Sequence, residues 1–389
     1  MPRPFTPRDA ARLIQARAEY TALMRLPPRR SLTRILDHGG FSMRAFCSRL
    51  TPNPHALEAE TRTRSFCRRH GIWLEALGDH YNSMNAYLYP TATIERLTTT
   101  GKHNALAYYL NDTMGRDKHW RLSPAARRSA QRVAAGLIET CDTGCLSRSP
   151  SGAEAAALAI LDELRFNSPE YWFSRFLPLW KKHLTLALQD RNAQAVGYVT
   201  TLDEYVEERL HISGMLHAIA LAEYAQDCYL PPENPAPPST HLLQLTRSCA
   251  ALGAIANDLF SFEKEFIDEE ADHNIIAVIL LNRPDLSLAG AIDESAGLLR
   301  KYLHAYFTAA RNLTTSSPAT AEEAARYVAA TKSIVQATWK WQTDTRRYKR
   351  TTSVFRENLL NTSSSVMAGP DRGETSPAKT VASEDGCDF

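Results

Sequence analysis

Three residues with hard oxygen donors recur at helical spacing in the second half of the chain. Asn257, Ser261 and Glu265 stand at positions i, i+4 and i+8, so a helix carries them along one face over two turns. An amide oxygen, a hydroxyl and a carboxylate suit Mg²⁺, which prefers oxygen ligands and is usually completed by substrate phosphates. The preceding segment, residues 242–256, is rich in Leu and Ala and predicts a buried helix that orients this face. The pattern is loose, so an alternative stays open: the three residues form a polar helix edge that only contacts solvent.

A basic residue upstream, Arg209, is followed by a glycine, Gly214. Glycine tolerates backbone angles that other residues avoid, so Gly214 predicts a break between two helices. Such a break points the free carbonyl groups of the first helix, the negative end of its dipole, at whatever lies beyond it. The alternative is that Arg209 forms only an ordinary helical ion pair. That needs an acid three or four positions away, and the nearby glutamates all miss this spacing.

A second basic site, Arg347 followed by Tyr348, lies near the end of the last predicted helix. The guanidinium fork matches the geometry of phosphate oxygens in a way that a lysine ammonium does not. Arg346, Lys349 and Arg350 surround the pair, so a solvated basic cluster is the alternative interpretation.

These features together resemble the motifs of class I terpene cyclases, in the family's order and near its spacing. The pattern Asn-Asp-x-x-Ser-x-x-x-Glu at 257–265, with Lys264 before the last Glu, resembles the second metal-binding motif of that family. Arg209 resembles its diphosphate-sensing arginine, and the pair Arg347-Tyr348 resembles its diphosphate-binding pair. Members of the family ionise an isoprenyl diphosphate with three Mg²⁺ ions inside an all-helical barrel. The resemblance runs from about residue 60 to about residue 350.

The family's first, aspartate-rich motif is the point at which this sequence departs from the pattern. The family usually has Asp-Asp-x-x-Asp or a close variant. Here Asp112 is preceded by Asn111, and Gly115 stands where a further acid is expected. The next acid, Asp117, falls off the face of Asp112 on a continuous helix, and joins it only if the helix ends near Gly115. Asp112 is therefore expected to be the indispensable carboxylate of this region.

The resemblance implies a role for each of these residues. It implies metal ligation by Asp112, Asp117, Asn257, Ser261 and Glu265. It implies diphosphate binding by Arg209, Lys264, Arg347 and Tyr348. It implies a direct part in catalysis for Arg209, Gly214 and Tyr348. Aromatic side chains that could line the cavity and stabilise cations are Tyr108, Tyr109, Phe46, Trp339 and Trp341, although ordinary core packing is the alternative for each.

The implied reaction is Mg²⁺-dependent ionisation of an isoprenyl diphosphate and cyclisation of the allylic cation. A single helical domain favours farnesyl diphosphate and a sesquiterpene product, with geranylgeranyl diphosphate as the alternative substrate. Asn111 and Gly115 favour another alternative, a homologue that modifies a terpenoid differently. A prenyl-chain elongating enzyme needs two Asp-Asp-x-x-Asp motifs, and this chain has none. A helical scaffold without chemistry would leave the spaced motifs as coincidence. The product skeleton depends on the contour of the cavity.

Composition bounds the fold class and the partners. The chain of 389 residues has 45 basic and 43 acidic residues, which argues against nucleic-acid binding. The sequence contains no uncharged apolar stretch of about 18 residues, so no membrane span is predicted. The first residues also lack the apolar core of a signal peptide. Seven scattered cysteines indicate reduced thiols, so a cytoplasmic enzyme is expected, as a monomer or homodimer.

Helical periodicity dominates the sequence, and no run of alternating β-branched residues predicts a strand. We therefore expect an all-α fold without a sheet. One helix begins at Pro124, with Ser123 as its N-terminal cap. The expected organisation is a helical segment over residues 1–60 that packs on the barrel, a cyclase domain over 61–360, and a disordered tail over 361–389.

Overall fold

The computed structural model describes a chain built almost entirely of helices. It describes residues 2–26, 29–37, 40–75, 78–115, 118, 121–230, 240–315 and 321–360, without side-chain detail for 79–82, 315 and 321. The described helices are, in chain order, α1 Pro7–Leu23, α2 Leu32–Ile35, α3 Met43–Cys47, α4 Ala56–Arg69, α5 Gly78–Leu88, α6 Ile94–Met114, α7 Pro124–Thr143, α8 Gly152–Phe166, α9 Glu170–Ala187, α10 Ala193–Val196, α11 Leu202–Ile212, α12 Met215–Ala225, α13 Thr240–Phe262, α14 Ile275–Asn282, α15 Leu288–Thr315 and α16 Ala321–Asp344. A π-helix, Glu263–Asp268, continues α13, and short 3₁₀ turns cover Arg346–Tyr348 and Arg356–Asn358. The predicted all-α fold is confirmed.

Side-chain caps explain where several helices begin. The Ser123 hydroxyl accepts a hydrogen bond from the backbone of the first turn of α7, and Pro124 occupies the first helical position, as the sequence predicted. Reciprocal capping boxes start α8 at Ser151 and α11 at Thr201. These local signals set the helix boundaries, and the packing of apolar faces stabilises the helices.

Five helices close a ring around the centre of the molecule. α5 contacts α6, α6 contacts α12, α12 contacts α13, α13 contacts α16, and α16 returns to α5. α13 is the most central of them, because nearly every residue from Leu245 to Phe262 is buried and the helix also packs on α11 and α15. The buried helix predicted over 242–256 is confirmed within α13.

The N-terminal helix α1 lies across α14 and α15 on the outside of this ring. The Tyr20 hydroxyl donates to the Glu263 carboxylate at 2.8 Å, and the Arg17 guanidinium donates to the Phe266 carbonyl at 3.1 Å. Both bonds connect α1 to the π-helix that follows α13.

The expectation of no sheet is wrong in one small respect. Two residues near the N-terminus, β1 Arg3–Pro4, pair antiparallel with β2 Tyr198–Val199. A two-residue pairing leaves no alternating pattern in the sequence, which explains why it was not predicted. None of the described helices is long and apolar enough to cross a membrane. The predicted tail, 361–389, lies outside the described residues.

Candidate active site

A partly open cavity lies inside the helical ring. Its described lining combines apolar side chains such as Met84, Leu88 and Trp341 with a set of polar side chains. Predicted site residues within this lining are Asn111, Arg209, Gly214, Asn257, Glu265, Arg347 and Tyr348. These residues come from four separate parts of the sequence, so the fold gathers them.

Arg209 is held rigidly on α11. It is 3% exposed, and its Nε donates to Asp258 Oδ1 at 2.8 Å while its Nη2 donates to Asn257 Oδ1 at 2.9 Å. The Asp258 carboxylate is fully buried and also accepts hydrogen bonds from the Tyr205 hydroxyl and, at 3.1 Å, from the Ile275 backbone N–H. A charged pair that is buried and fully hydrogen-bonded fixes the guanidinium direction.

Asn257 connects this pair to the C-terminal end of the cyclase region. Its Nδ2 donates to the Tyr348 hydroxyl oxygen at 2.7 Å, so the amide bonds to Arg209 on one side and to Tyr348 on the other. Burial raises the pKa of Tyr348 to about 12, against the opposing effect of Arg347. The phenol therefore stays neutral and able to donate a hydrogen bond at any ordinary pH.

Arg347 reaches across the cavity to α6. Its Nη2 lies 2.6 Å from Asp112 Oδ1, with only 9% of the Arg347 side chain and 12% of the Asp112 side chain exposed. The same Asp112 oxygen accepts from Asn111 Nδ2 at 3.0 Å. We call Asp112, Arg209, Asn257, Asp258, Arg347 and Tyr348 the polar cluster. Its hydrogen bonds and ion pairs connect α6, α11, α13 and the turn after α16 beside one cavity.

Glu265 reaches the cavity from a π-helix, which corrects the expectation of a regular helical face. The α-helix ends at Phe262, and the wider π turn begins at Glu263. π turns recur at functional sites because the extra residue re-aims side chains. Glu265 is 4% exposed, and its Oε2 accepts from Asn274 Nδ2 at 3.1 Å.

Ser261 and Lys264 are not among the described residues that line the cavity. Ser261 is fully buried, and its Oγ has no hydrogen-bond partner in the part of the chain that the structure describes. The Lys264 ammonium lies 3.0 Å from Glu269 Oε2, and Lys118 bonds to the other oxygen of that carboxylate at 2.5 Å. The structure therefore brings Asn257 and Glu265 to the cavity, whereas the roles implied for Ser261 and Lys264 stay predictions.

The predicted helix break at Gly214 is confirmed. α11 ends at Ile212, α12 begins at Met215, and Gly214 has a left-handed φ of 77°. A Cβ at this position would lie 2.9 Å from His217 Nε2, so glycine is required both for the backbone angle and for the space. The break itself lines the cavity.

Only some of the aromatic residues that were expected from the sequence to line the cavity do so. Tyr108 and Trp341 line the cavity, with ring centroids 5.5 Å apart. Trp339 packs on Phe260 instead, and Phe46 packs on Phe41 and Phe307. Tyr109 packs against the core without lining the cavity in the described part of the chain.

The helix that carries Asp112 ends near Gly115, which is the condition under which Asp117 is expected to be able to join Asp112. α6 ends at Met114, where the Gly115 N–H caps it by donating to the Asn111 carbonyl at 3.1 Å. Asp117 itself lies outside the described residues. Asp112 thus lies two residues before Met114, the last residue of its helix.

The oxygen donors around the cavity fit a hard divalent cation. Among the described residues, no three His, Cys, Asp or Glu side chains come together as a metal site. The donors present are instead one carboxylate from α6, the Asn257 amide and the Glu265 carboxylate, with the partnerless Ser261 Oγ one turn from Asn257. Carboxylate, amide and hydroxyl oxygens are the set that Mg²⁺ accepts when substrate phosphates complete its shell.

Residues 102–305, just over half of the chain, match a family described as terpene synthase family 2, C-terminal metal binding. The chain belongs to the terpene synthase family. This family implies a divalent metal and a prenyl diphosphate substrate. The matched segment includes Asp112, Arg209, Asn257 and Glu265, whereas Tyr348 lies beyond it.

Characterised relatives cover most of this terpene synthase. It is 23% identical to 10-epi-cubebol synthase of Sorangium cellulosum over 77% of this chain and 94% of that protein. It is 26% identical to (2Z,6E)-hedycaryol synthase of Kitasatospora setae over 68% of this chain and 77% of that protein. Among solved structures, a single-residue variant of cucumene synthase matches with a TM-score of 0.65 and 20% identity, over 77% of this chain and 98% of that one. The fold is the class I terpene synthase helical fold.

Sequence reasoning missed several residues that support the site. Asp258 stands inside the recognised 257–265 pattern, and its place beside Asn257 was the available signal. Asn274, which donates to Glu265, caps the start of α14, and no pattern connects it to the site. His217 lies in an apolar helical run and therefore resembles a core residue in the sequence.

Proposed function

We propose that this terpene synthase is a Mg²⁺-dependent sesquiterpene cyclase that ionises farnesyl diphosphate and cyclises the resulting allylic cation. The observation that carries the proposal is the polar cluster, which places two buried arginines beside a cavity lined largely by apolar and aromatic side chains. An isoprenyl diphosphate needs both: cationic side chains to bind its diphosphate and an apolar cavity to hold its hydrocarbon chain. The names of the characterised relatives, 10-epi-cubebol synthase and (2Z,6E)-hedycaryol synthase, support a fifteen-carbon substrate.

The proposed metal ligands are Asp112 from α6 and Asn257, Ser261 and Glu265 from α13 and its π-helix. Three Mg²⁺ ions, the number implied by the family resemblance, would neutralise the charge of the departing diphosphate. In the structure Asp112 bonds to Arg347, and the Asn257 amide oxygen bonds to Arg209. Each of these two ligand oxygens would therefore have to exchange a guanidinium partner for a metal. Asp117 remains a proposed further ligand on the resemblance alone.

The proposed diphosphate donors are Arg209, Arg347 and the Tyr348 hydroxyl. Asp258 holds Arg209 in place from behind, so this guanidinium is oriented before substrate arrives. Arg347, once released from Asp112, would present its planar guanidinium fork to phosphate oxygens, whose geometry the fork matches. Lys264 is a further candidate donor, and it must leave Glu269 to serve.

After ionisation, the chain's part is to shape and shield the cation. The faces of Tyr108 and Trp341 line the cavity and stabilise positive charge through their quadrupoles. The backbone break at Gly214 brings the carbonyl end of α11 to the same cavity, where its negative dipole end favours a cation. Many of the lining side chains are buried, which limits the access of water and so limits premature capture of the cation.

The test is incubation of the purified full-length protein with ten-, fifteen- and twenty-carbon diphosphates, with Mg²⁺ and with a chelator. Diphosphate release and the mass of volatile products are both measured. The expected result is Mg²⁺-dependent release and cyclic C15 products from farnesyl diphosphate. Cyclisation of the C20 substrate alone would establish the diterpene alternative, and the absence of metal-dependent release from every substrate would contradict the proposal.

The proposal also places the reaction in the cytoplasm, as a monomer or homodimer. Six cysteines in the described part of the chain are free thiols, which suits a reducing compartment. Light scattering on the purified enzyme measures the oligomeric state.

A further inference from the structure

Three buried histidines pack together beside the active-site cavity. His103 on α6, His183 on α9 and His217 on α12 surround Trp180, with the His217 ring centroid 4.8 Å from that of His103 and 4.7 Å from that of His183. Each is less than a tenth exposed. None of the three belongs to the polar cluster, so the proposed ionisation chemistry does not use them.

His217 differs from His183 in its hydrogen bonding and from His103 in its position at the cavity. It is 3% exposed, it lines the cavity, and neither of its ring nitrogens has a hydrogen-bond partner among the residues that the structure describes. His183 also lines the cavity, but its Nδ1 is bonded to the His211 carbonyl oxygen at 2.9 Å. His103 is not among the described residues that line the cavity.

A buried imidazole without partners destabilises a fold, because its polar atoms have lost water and gained nothing. A phenylalanine would fill the same aromatic pocket at lower cost. The position of the ring indicates why a histidine stands there. His217 Nε2 lies so close to Gly214 that an added Cβ would come within 2.9 Å of it. The ring edge therefore lies against the helix break, the place proposed to stabilise a cation.

The surroundings keep this imidazole neutral. Burial lowers the pKa of His217 well below its usual value, and His183, His103 and His211 act in the same direction. Burial also lowers the pKa of His183 to about 4 and that of His103 to about 3. A neutral ring carries one nitrogen lone pair that accepts a proton. The same burial makes the protonated ring a strong acid that returns the proton readily.

We propose that His217 is the base that ends the cyclisation by removing a proton from the final carbocation. The C–H bond next to the cationic carbon breaks, its electron pair forms a carbon–carbon double bond, and the proton bonds to the imidazole lone pair. The imidazolium then passes the proton to inorganic diphosphate or to water as the products leave. Even a weak base suffices, because a carbocation is a far stronger acid than imidazolium. The inference rests on the proposed terpene cyclase function and adds the residue that selects where the cascade stops.

The test separates ionisation from termination in one assay. Full-length parent, His217→Phe and His217→Asn are incubated with farnesyl diphosphate and Mg²⁺, and both diphosphate release and the product distribution are measured. Phenylalanine keeps the aromatic volume without a base, and asparagine keeps polarity without basicity. The matched control is His103→Phe, which makes the same exchange in the same histidine cluster at a residue that does not line the cavity.

Diphosphate release by both His217 variants should slow by no more than about threefold, because the donors that stabilise the leaving group are elsewhere. The ratio of the parent product to products quenched at other positions should fall by about tenfold or more, the low end of what a positioned base contributes. His103→Phe should keep the parent distribution. If the phenylalanine variant does not fold, the smaller asparagine variant decides the matter.

Three results would overturn the role of His217. The first is an unchanged product distribution in both His217 variants. The second is a parent distribution in His217→Asn alone, which would assign the effect to polarity, and the third is an equal shift in His103→Phe, which would assign it to packing. Failure of the proposed function has a different signature, since the parent itself would then release no diphosphate.

Discussion

The two helices that carry the proposed metal ligands hold them in different ways. On α13, Asn257 is bonded by Arg209 on one side and by Tyr348 on the other. Directly behind it, Asp258 is fully buried and accepts hydrogen bonds from three different partners. This side of the polar cluster is therefore preorganised: its hydrogen bonds are formed without substrate.

On α6, by contrast, Asp112 lies two residues before the end of its helix, and more of its side chain is exposed than that of Asp258. It accepts a hydrogen bond from the neighbouring Asn111 and pairs with Arg347, which comes from the turn after the last helix.

We therefore interpret the α13 side as preorganised and the α6 side as one that forms when distant segments come together. The α13 side keeps its geometry through buried bonds, so a change that breaks one of these bonds should affect stability as well as chemistry. The α6 side includes an ion pair between distant segments, so changes there should affect chemistry and the response to metal with little effect on folding. The five variants below test this contrast, in order of the expected free-energy change.

Asp258→Asn should produce the largest effect, on stability. It leaves the buried Arg209 guanidinium without its counter-charge, which costs about 3–5 kcal/mol when one partner of a buried pair is removed. The measurement is chemical denaturation of the parent and the variant. The control is Asp293→Asn, which breaks the ion pair between Asp293 and Arg30, where 64% of the Asp293 side chain is exposed. An exposed pair contributes roughly 0–1 kcal/mol, so equal losses in the two variants would contradict the contrast.

Glu265→Gln should lower turnover by roughly 10²–10³-fold, the cost of one electrostatic contact to the developing charge. Its melting temperature should change little, because the glutamine side-chain oxygen still accepts from Asn274. Steady-state kinetics and thermal unfolding check both halves. Glu163→Gln, a carboxylate paired with Lys102 outside the cavity lining, is the matched control and should keep full activity. Full activity in Glu265→Gln would remove this residue from the proposed metal site.

Asp112→Asn should lower turnover by about 10²-fold, because it removes the anionic ligand that α6 supplies and the partner that positions Arg347. Higher Mg²⁺ should restore part of the loss, since the remaining amide oxygen still binds metal weakly. Turnover is measured over a range of Mg²⁺ concentration. Retained activity at low Mg²⁺ would favour the alternative in which this homologue no longer ionises a diphosphate in the family's manner.

The fold was predictable because its signals are local. Helical periodicity and caps such as Ser123 predicted the helices without knowledge of tertiary contacts. The break at Gly214 was predictable for the same reason, since a left-handed backbone angle restricts the residue type.

The site was predictable only where regular spacing continued. Asn257 lines the cavity as expected, but the step from Ser261 to Glu265 crosses from an α-helix into a π-helix. The extra residue in that turn depends on tertiary contacts, such as the bonds of Glu263 to Tyr20 and Val354, which no spacing rule contains. Lys264 is turned toward Glu269 in the same region.

Arg347→Lys should lower turnover by roughly 10–10²-fold, because an ammonium keeps the charge but loses the fork that matches carboxylate and phosphate oxygens. The KM for farnesyl diphosphate should rise as well, since the bond is made to the ground-state diphosphate too. The adjacent Arg346 is exposed and outside the described cavity lining, so Arg346→Lys is a control in the same 3₁₀ turn. Equal effects in the two variants would support the solvated basic cluster.

Asn111→Asp should produce the smallest effect and the only gain. Asn111 lines the cavity and donates to Asp112, so the variant places a second carboxylate where the family usually has one. Two adjacent carboxylates repel each other in the absence of metal and attract Mg²⁺ more strongly than one carboxylate and an amide, which carries no net charge. We therefore expect half-maximal activity at a Mg²⁺ concentration lower by about threefold, corresponding to less than ~1 kcal/mol. The melting temperature without metal should fall slightly, because the bond from the amide to Asp112 becomes a like-charge contact. A higher Mg²⁺ requirement would mean that the Asn111 amide orients Asp112 toward Arg347, and that the α6 side is preorganised after all.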